Sequence, residues 1–313
     1  TGFAEVHTCP YQQIMSLRSY VSGIVYAANS GNLFVMSNSL DVRLHDGSIR
    51  TCSALPDMFV GGLPEYQWMS VGGDFMCVLG TRAAYRMSSV DCTQPPATLF
   101  QFGDNEIPRS CAAFSNGTMI VGALGRKYSV VAIDVPGSSP RTLTTLDQCE
   151  PAELYVDRTA MPSELLITCW NRKVIIVSEN GQQFDLVADA HDLCLNPIST
   201  LPLPWAPGWY AVVCPGEVRL VQRVTPGSNI TEPWVSIDFS RNGIVIGVRG
   251  RLSSDGATLF IPARGRLIAI SFDVTAYNQP HPANISYAVS TLVSEAEASS
   301  SFDAAVGDLN VLF

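Results

Sequence analysis

The chain has 313 residues, of which 47% are apolar and only 15% are charged, so it can bury a large core. Its 19 basic and 28 acidic residues give a net charge of −9, which disfavours non-specific nucleic-acid binding. This composition excludes a disordered chain, a coiled coil and a long helical bundle, and the absence of an 18-residue apolar run excludes a transmembrane helix. The chain begins at Thr1 rather than Met, as expected for a mature form or a domain of a longer protein.

Short apolar segments recur along the whole chain at intervals of about 45 residues. Each segment follows a turn containing Gly or small polar residues, and each is rich in Val, Ile, Leu, Phe and Tyr, as buried strands are. The seven segments lie at 33–38, 75–80, 118–123, 164–169, 209–214, 258–263 and 309–313.

Each interval has room for four strands, A to D, which is the content of one blade of a β-propeller. Turn dipeptides that favour hairpins occur at Asp46-Gly47, Asn116-Gly117, Asn180-Gly181 and Asp255-Gly256. In the third interval the predicted strands are 110–114, 118–123, 128–135 and 141–146, and in the sixth they are 247–252, 258–263, 267–274 and 284–292.

Two segments resemble known propeller repeats. The segment Ser253-Ser254-Asp255-Gly256, with the following 257–261, resembles the turn and strand of YVTN-type and NHL-type propellers. The segment Ile107-Pro108-Arg109, with Asn116-Gly117 and 120–122, is similar to kelch repeats. The resemblance covers one or two repeats and lacks the kelch diglycine, so it implies the propeller architecture and no particular family.

We therefore predict one all-β domain over 1–313, a seven-bladed propeller of four-stranded antiparallel blades. The last interval holds two strands and the N-terminus holds two more, at 3–8 and 12–17, so the two ends are expected to share one closing blade that removes the free sheet edge. A six-bladed ring with loose ends is the alternative. The predicted blades are 18–56, 64–102, 107–146, 150–188, 195–239, 244–293, and 300–313 with 1–17.

The nine cysteines contain no C-x-x-C pair, which disfavours a zinc site. Cys149 and Cys169 are 20 residues apart, as are Cys194 and Cys214, and in each case an A–B hairpin would bring the two together. We predict these two disulfides, and a third between Cys9 and Cys52 that joins the closing blade to its neighbour. Three glycosylation sequons begin at Asn116, Asn229 and Asn284.

The cysteines and sequons together favour a secreted, cell-surface or lumenal protein, such as a glycoprotein or receptor ectodomain. Buried cysteines in a cytoplasmic protein are the alternative.

Basic residues concentrate in the predicted B–C loops, which lie on one face of a propeller together with the D–A connections. Clustered cations in an acidic protein predict an anionic partner, either an acidic protein surface or an anionic glycan. The predicted binding residues are Arg82, Arg126, Lys127, Arg172, Lys173, Arg264 and Arg266.

No serine-hydrolase, zinc-protease, P-loop or EF-hand motif occurs, and we predict no catalytic residue, no metal and no cofactor. The favoured function is a non-catalytic binding propeller; a scaffold subunit of an intracellular assembly is one alternative. The other is a propeller lactonase or hydrolase whose candidate channel-mouth residues are Asp104, Asn105, Glu106, Asp157 and Asp192.

Two further features each have a structural and a functional interpretation. His191, close to Asp189 and Asp192, is expected to be a solvated loop residue, with acid–base chemistry as the alternative. Trp205 and Trp209 are expected to pack between blades, with stacking on a ligand as the alternative.

Overall fold

The strands of this chain form a series of small antiparallel sheets. The computed structural model describes residues 23–27, 29–36, 39–57, 69–114, 118–124, 128–133, 139–146, 149, 151–158, 160, 162–178, 181–187, 193–223, 234–240, 249–253, 255–263, 266–274, 285–293, 305–306 and 311–312. Within these ranges there are six four-stranded sheets and one two-stranded sheet, each formed by strands that are consecutive in the sequence.

Sheets one to three lie in the N-terminal half. Their strands are β1 (Gly23–Ala27), β2 (Asn32–Met36), β3 (Leu40–Arg43), β4 (Ile49–Thr51), β5 (Met69–Gly72), β6 (Phe75–Leu79), β7 (Ala83–Ser88), β8 (Ala97–Gln101), β9 (Ile107–Ala113), β10 (Met119–Leu124), β11 (Tyr128–Ile133) and β12 (Arg141–Leu146).

Sheets four to six follow, and then the two-stranded sheet. Their strands are β13 (Pro151–Asp157), β14 (Glu164–Cys169), β15 (Lys173–Ser178), β16 (Gln183–Asp185), β17 (Ser199–Pro202), β18 (Trp209–Val213), β19 (Glu217–Gln222), β20 (Trp234–Asp238), β21 (Arg251–Leu252), β22 (Thr258–Ala263), β23 (Arg266–Phe272), β24 (Tyr287–Val293), β25 (Ala305–Val306) and β26 (Val311–Leu312).

The first strand of each four-stranded sheet is the innermost one, and these strands form the inner wall. Along this wall β1 contacts β5, β5 contacts β9, β9 contacts β13, and β13 contacts β17. The second strands are the most buried, whereas the outer strand β4 is exposed along its length. This arrangement of four-stranded antiparallel blades is a β-propeller, as predicted.

The apolar segments that recur in the sequence are the second strands of the sheets. The segments predicted at 164–169 and 258–263 coincide with β14 and β22, and the one at 75–80 contains β6. Of the predicted inner strand at 247–252, residues 249–252 are described, and Arg251 and Leu252 pair as a strand.

The core lies between neighbouring sheets rather than at one centre. One cluster joins sheets one to three and includes Phe34 and Met76, and three further clusters fill the spaces between later sheets. Each sheet therefore buries both of its faces, which explains why the second and third strands are nearly continuous apolar runs.

Three disulfides lie within the described part of the chain. Two are the predicted bonds, Cys149–Cys169 and Cys194–Cys214, each joining a residue that precedes an inner strand to the end of the second strand. The predicted bond from Cys9 to Cys52 is wrong, because Cys52 is bonded to Cys92. The residue after β4 lies beside the turn between β7 and β8, where the Ser53 N–H donates to the Cys92 carbonyl oxygen at 2.9 Å.

The predicted closing blade is described only in part. β25 and β26 pair with each other, and β25 contacts both β1 and β21, the inner strands of the first and sixth sheets. The predicted N-terminal strands at 3–8 and 12–17 lie outside the described residues, as does Cys9.

Candidate functional site

One end of the propeller carries the B–C turns and the starts of the inner strands. In the fourth sheet, Pro151 at the start of β13 pairs with Cys169 at the end of β14, and Cys169 pairs with Lys173 at the start of β15. These residues therefore lie in one row across the sheet. We call this end of the propeller the upper face, and the end carrying the A–B and C–D connections the lower face.

On the second sheet, the B–C turn that carries Arg82 is held by Asp57. The Asp57 carboxylate accepts hydrogen bonds from the N–H groups of Arg82 and Ala83 and from the hydroxyl of Tyr85. Burial and this carboxylate raise the pKa of Tyr85, so its hydroxyl stays a donor. The turn is thus fixed while the Arg82 side chain is exposed.

On the fourth sheet, the B–C turn carries Arg172 and Lys173. Arg172 has a φ of 61°, the left-handed conformation that lets the chain reverse between β14 and β15. The Lys173 ammonium lies 3.6 Å from a carboxylate oxygen of Asp185, and both side chains are exposed. An exposed pair of this kind contributes little to stability, so Lys173 can exchange this partner for another at low cost.

The side chains of the other four predicted basic residues lie outside the described part of the structure. Arg126, Lys127 and Arg264 lie outside the described residues, and for Arg266 only the backbone at the start of β23 is described.

Behind these turns, the inner strands are linked by side chains that accept hydrogen bonds from the next strand. Ser110 Oγ accepts from the Leu154 N–H at 3.0 Å, and Ser199 Oγ accepts from the Gly250 N–H at 3.0 Å. Between them, the Glu153 carboxylate accepts from the backbone N–H of Thr200. In each case the donor directly follows the next residue of the series: Leu154 follows Glu153, Thr200 follows Ser199, and Gly250 follows Arg249. Ser110, Glu153, Ser199 and Arg249 therefore occupy equivalent positions on their inner strands.

Glu153 and Arg249 form a buried charged cluster with Arg251. The Glu153 Oε1 atom lies 3.1 Å from Arg251 Nη1 and 3.8 Å from Arg249 Nε, so both guanidinium groups approach the same oxygen. The Arg249 Nη2 group also donates to the Ala152 carbonyl oxygen at 3.4 Å. The cluster connects Arg251 in β21 with Glu153 in β13 and passes the start of β17. It lies on the inner wall, below the upper face.

The cluster is buried to different depths. The Glu153 side chain is 0% exposed and Arg249 is almost as buried, whereas Arg251 is 24% exposed. Burial raises the pKa of Glu153 above its ordinary value, and the two guanidinium groups oppose that shift only in part. Glu153 Oε2 is buried and has no hydrogen-bond partner among the described residues.

A further cation of the upper face is Arg109, whose guanidinium lies 5.0 Å from the centre of the Trp170 ring. Sequence reasoning missed Arg109, Arg249 and Arg251 because it considered only the B–C loops. A signal was present, since Arg249 and Arg251 lie within the predicted inner strand at 247–252, on either side of a glycine, and Glu153 interrupts an apolar strand.

The residues named for a hydrolase are not brought together where they are described. Asp104, Asn105 and Glu106 form an exposed turn before β9, in which Glu106 accepts from the Gly103 N–H at 2.8 Å. Asp157 ends β13 at the opposite, lower face. Asp189, His191 and Asp192 lie outside the described residues. The part of the chain that the structure describes contains no group of three potential metal ligands.

The tryptophan pair belongs to the core, as expected. Trp209 is buried in β18, and the Trp205 ring packs at 5.3 Å from the Phe272 ring while its indole N–H donates to the Gly256 carbonyl oxygen. Trp209 is too buried to stack on a ligand, and Trp205 is half-buried against the core. In the described part of the chain no helix is long and apolar enough to cross a membrane.

No family model matches the chain, and no curated protein shows significant similarity to it. Solved structures do resemble it. A chain of the nidogen/laminin complex superposes with a TM-score of 0.50 at 12% identity, over 66% of this chain and 76% of that one. YCF48 bound to D1 peptide gives 0.55 at 11% identity, over 80% and 78%.

The Cps50 (Swd1) β-propeller domain of Myceliophteria thermophila gives a TM-score of 0.58 at 8% identity, over 82% of this chain and 83% of that one. Such low identities show a shared fold alone. By fold, this chain is a β-propeller.

Proposed function

We propose that this chain is a non-catalytic recognition propeller whose upper face binds an acidic surface of another protein. The observation that carries the proposal is that cations from separate blades lie at the upper end of an acidic molecule: Arg82 from the second sheet, and Arg172 and Lys173 from the fourth, with Arg251 from the sixth on the inner wall below them. Arginine forks bind carboxylates through two parallel hydrogen bonds, which suits an acidic protein surface.

A protein partner is favoured over an anionic glycan. Two of the similar structures are of complexes by their descriptions, one of nidogen with laminin and one of YCF48 with a D1 peptide. They support protein or peptide binding as a use of this fold, although their low identity carries no partner over to this chain.

We propose an extracellular or lumenal location. The three disulfides are typical of proteins that fold in an oxidising compartment. Glycosylation at Asn116, Asn229 and Asn284 would agree with it, because these sequons fall in the β9–β10, β19–β20 and β23–β24 connections. Those connections leave the lower face, so glycans there would keep the upper face uncovered. A mass shift on deglycosylation of the secreted protein is expected; its absence would contradict this part of the proposal.

We also propose a ring of seven blades, closed by a shared blade. The contacts of β25 with both β1 and β21 support closure, with the chain's first 17 residues as the expected partners of β25 and β26. Deleting residues 1–12 should then lower the melting temperature of the whole domain. An unchanged melting temperature would favour the six-bladed alternative.

The basic upper face is tested by charge reversal. The purified protein is used to capture partners from the extracellular or lumenal fraction, and each captured protein is measured against the triple variant R82E/R172E/K173E. We expect the variant to fold, because these are turn positions, and to lose at least tenfold in affinity. Wild-type affinity should fall with added salt, since exposed charges are screened within about 8 Å at physiological ionic strength.

The matched control is Arg50→Glu, an exposed arginine on the outer strand of the first sheet. It changes the net charge in the same direction without touching the upper face, and it should leave affinity nearly unchanged. A folded triple variant with wild-type affinity would contradict the proposed function.

A further inference from the structure

A cavity of about 250 Å³ lies between the first and second sheets. One of its walls is a face of the first sheet, and the other is the β7–β8 connection at 90–93. Because this connection and the β3–β4 turn both belong to the lower face, the cavity lies apart from the upper-face cations. An apolar cavity of about 150 Å³ holds a benzene ring, so this one has room for a branched or aromatic group with a short polar group attached.

The register of the first sheet determines which of its side chains line the cavity. Phe34 in β2 lies opposite Val42 in β3, and Val42 lies opposite Arg50 in β4, so all three share one face of the sheet. Phe34 and Val42 are buried and form the floor, whereas Arg50 is exposed at the edge. Leu44, which is partly buried, and Val90, which is 54% exposed, provide the apolar surface that a ligand can reach. The reachable part of the cavity is therefore apolar on two sides, with an arginine at its edge.

An acidic residue, Asp91, lines the same cavity and is exposed. Its carboxylate accepts hydrogen bonds from the Thr93 hydroxyl at 2.6 Å and from the Thr93 N–H at 3.1 Å. These bonds, together with the attraction of Arg50, hold the pKa of Asp91 below its ordinary value, so it is ionised at neutral pH. Arg50 is also attracted by Asp46, which does not line the cavity, but within the described ranges it forms no direct ion pair with either carboxylate. The cavity therefore presents one cation and one anion that a ligand can reach.

The β7–β8 connection that forms the second wall is fixed on both sides. The Cys52–Cys92 disulfide joins it to the residue after β4. The buried side-chain amide of Asn32, at the start of β2, donates to the carbonyl oxygens of Ser89 at 3.1 Å and Val90 at 3.4 Å. Because these bonds hold the connection in place before a ligand arrives, binding does not have to overcome the cost of ordering a loop.

We propose that this cavity binds a free α-amino acid with a branched or aromatic apolar side chain. The side chain packs between Leu44 and Val90. The carboxylate pairs with the guanidinium fork of Arg50, and the ammonium group pairs with Asp91. The need for both charges selects a free amino acid, because a residue inside a peptide has neither charge and a terminal residue has only one. The inference does not depend on the proposed function, since none of these four residues lies on the upper face.

The test is isothermal titration calorimetry of the full chain with L-leucine and L-phenylalanine. Three matched compounds each lack one feature: 2-phenylethylamine has no carboxylate, 3-phenylpropionate has no ammonium group, and L-alanine has no large side chain. We expect the better of the two amino acids to bind about tenfold or more tightly than each matched compound. Arg50→Gln should weaken that binding by a similar factor without weakening the binding of 2-phenylethylamine. Asp91→Asn should weaken it likewise without affecting 3-phenylpropionate.

The matched control is Arg43→Gln. Arg43 lies next to Val42 in β3 and opposite Ile49 in β4, so its side chain is on the other face of the first sheet. Its loss should leave amino-acid binding unchanged. Thermal melts identify any variant that does not fold. In that case the series of matched compounds carries the test, because it needs only the wild-type protein.

The outcomes separate this inference from the proposed function. The triple variant R82E/R172E/K173E should bind the amino acid as wild type does, whereas Arg50→Glu should lose the amino acid and keep the upper-face partner. The inference is overturned if wild type binds neither amino acid at millimolar concentration, or binds 2-phenylethylamine or 3-phenylpropionate equally well. A folded Arg50→Gln or Asp91→Asn variant with wild-type affinity for the amino acid also overturns it. None of these results changes the case for the upper face.

Discussion

Ser110 and Glu153 hold the same position on neighbouring inner strands, and yet their surroundings differ. The serine accepts one backbone N–H and needs nothing else, whereas the glutamate accepts the same kind of bond and gathers two arginines from the sixth sheet. The repeat therefore fixes the position and the backbone bond, while the side chain is free to vary. What the comparison teaches is that one copy of a repeated fold can hold a buried charged cluster at a position where its neighbour holds only a serine.

The largest expected effect is a loss of unfolding free energy when either of two disulfides is removed. Cys52–Cys92 joins the outer parts of sheets one and two and closes 40 residues, so the double variant C52S/C92S should lose about 4 kcal/mol of unfolding free energy. Cys149–Cys169 closes 20 residues, and C149S/C169S should lose about 3 kcal/mol. Urea denaturation measures both.

The two disulfides should differ in their effect on binding. Cys149 and Cys169 lie beside the start of β13, close to Glu153, whereas Cys52 and Cys92 lie far from the inner wall. Only C149S/C169S is expected to weaken binding of the partner proposed for the upper face, because Cys169 directly precedes the turn that carries Arg172 and Lys173. An equal loss of affinity in both pairs would mean that the turn after Cys169 is not part of the contact.

The next effect concerns the serine positions. Ser110→Ala leaves the buried Leu154 N–H without its acceptor, and Ser199→Ala does the same to Gly250. Each variant should lose about 1 kcal/mol, independent of pH between 4 and 8. Chemical denaturation at several pH values checks this, and a pH-dependent loss would show that these positions are coupled to the charged cluster.

The smallest effect is expected at Glu153. Because burial raises the pKa of this carboxyl in the folded state, the native protein binds the proton more tightly than the unfolded chain does. Wild type should therefore lose stability relative to Glu153→Gln as the pH rises from 4.5 through the raised native pKa. At pH 7 the variant, which keeps an acceptor for Thr200, should be at least as stable as wild type.

The opposite result would be a Glu153→Gln variant whose stability, measured relative to wild type, is lower at pH 7 than at pH 4. That result would contradict the raised pKa of Glu153. It would mean that the arginines stabilise the carboxylate by more than its burial costs. The measurement is the difference in unfolding free energy between the two proteins across that range, since other titrating groups cancel in the difference.

Strand positions could be predicted because the second strands are buried on both faces and repeat at a regular interval. Both A–B disulfides followed from one hairpin argument. The Cys52–Cys92 bond could not be predicted, since it depends on how two outer loops of different sheets approach each other. The cluster of Glu153, Arg249 and Arg251 was missed for the same reason: residues almost 100 positions apart meet only after the sheets pack.

The Asp57 carboxylate has a consequence for the speed and strength of association. By holding the backbone of the Arg82 turn and the hydroxyl of Tyr85 at once, it removes conformational freedom from that turn before any partner arrives. Ordering a flexible loop on binding opposes association, and a turn that is already rigid avoids that opposition. The Arg82 turn is in this sense preorganised, and a partner that binds there, as proposed, would meet it in its bound shape.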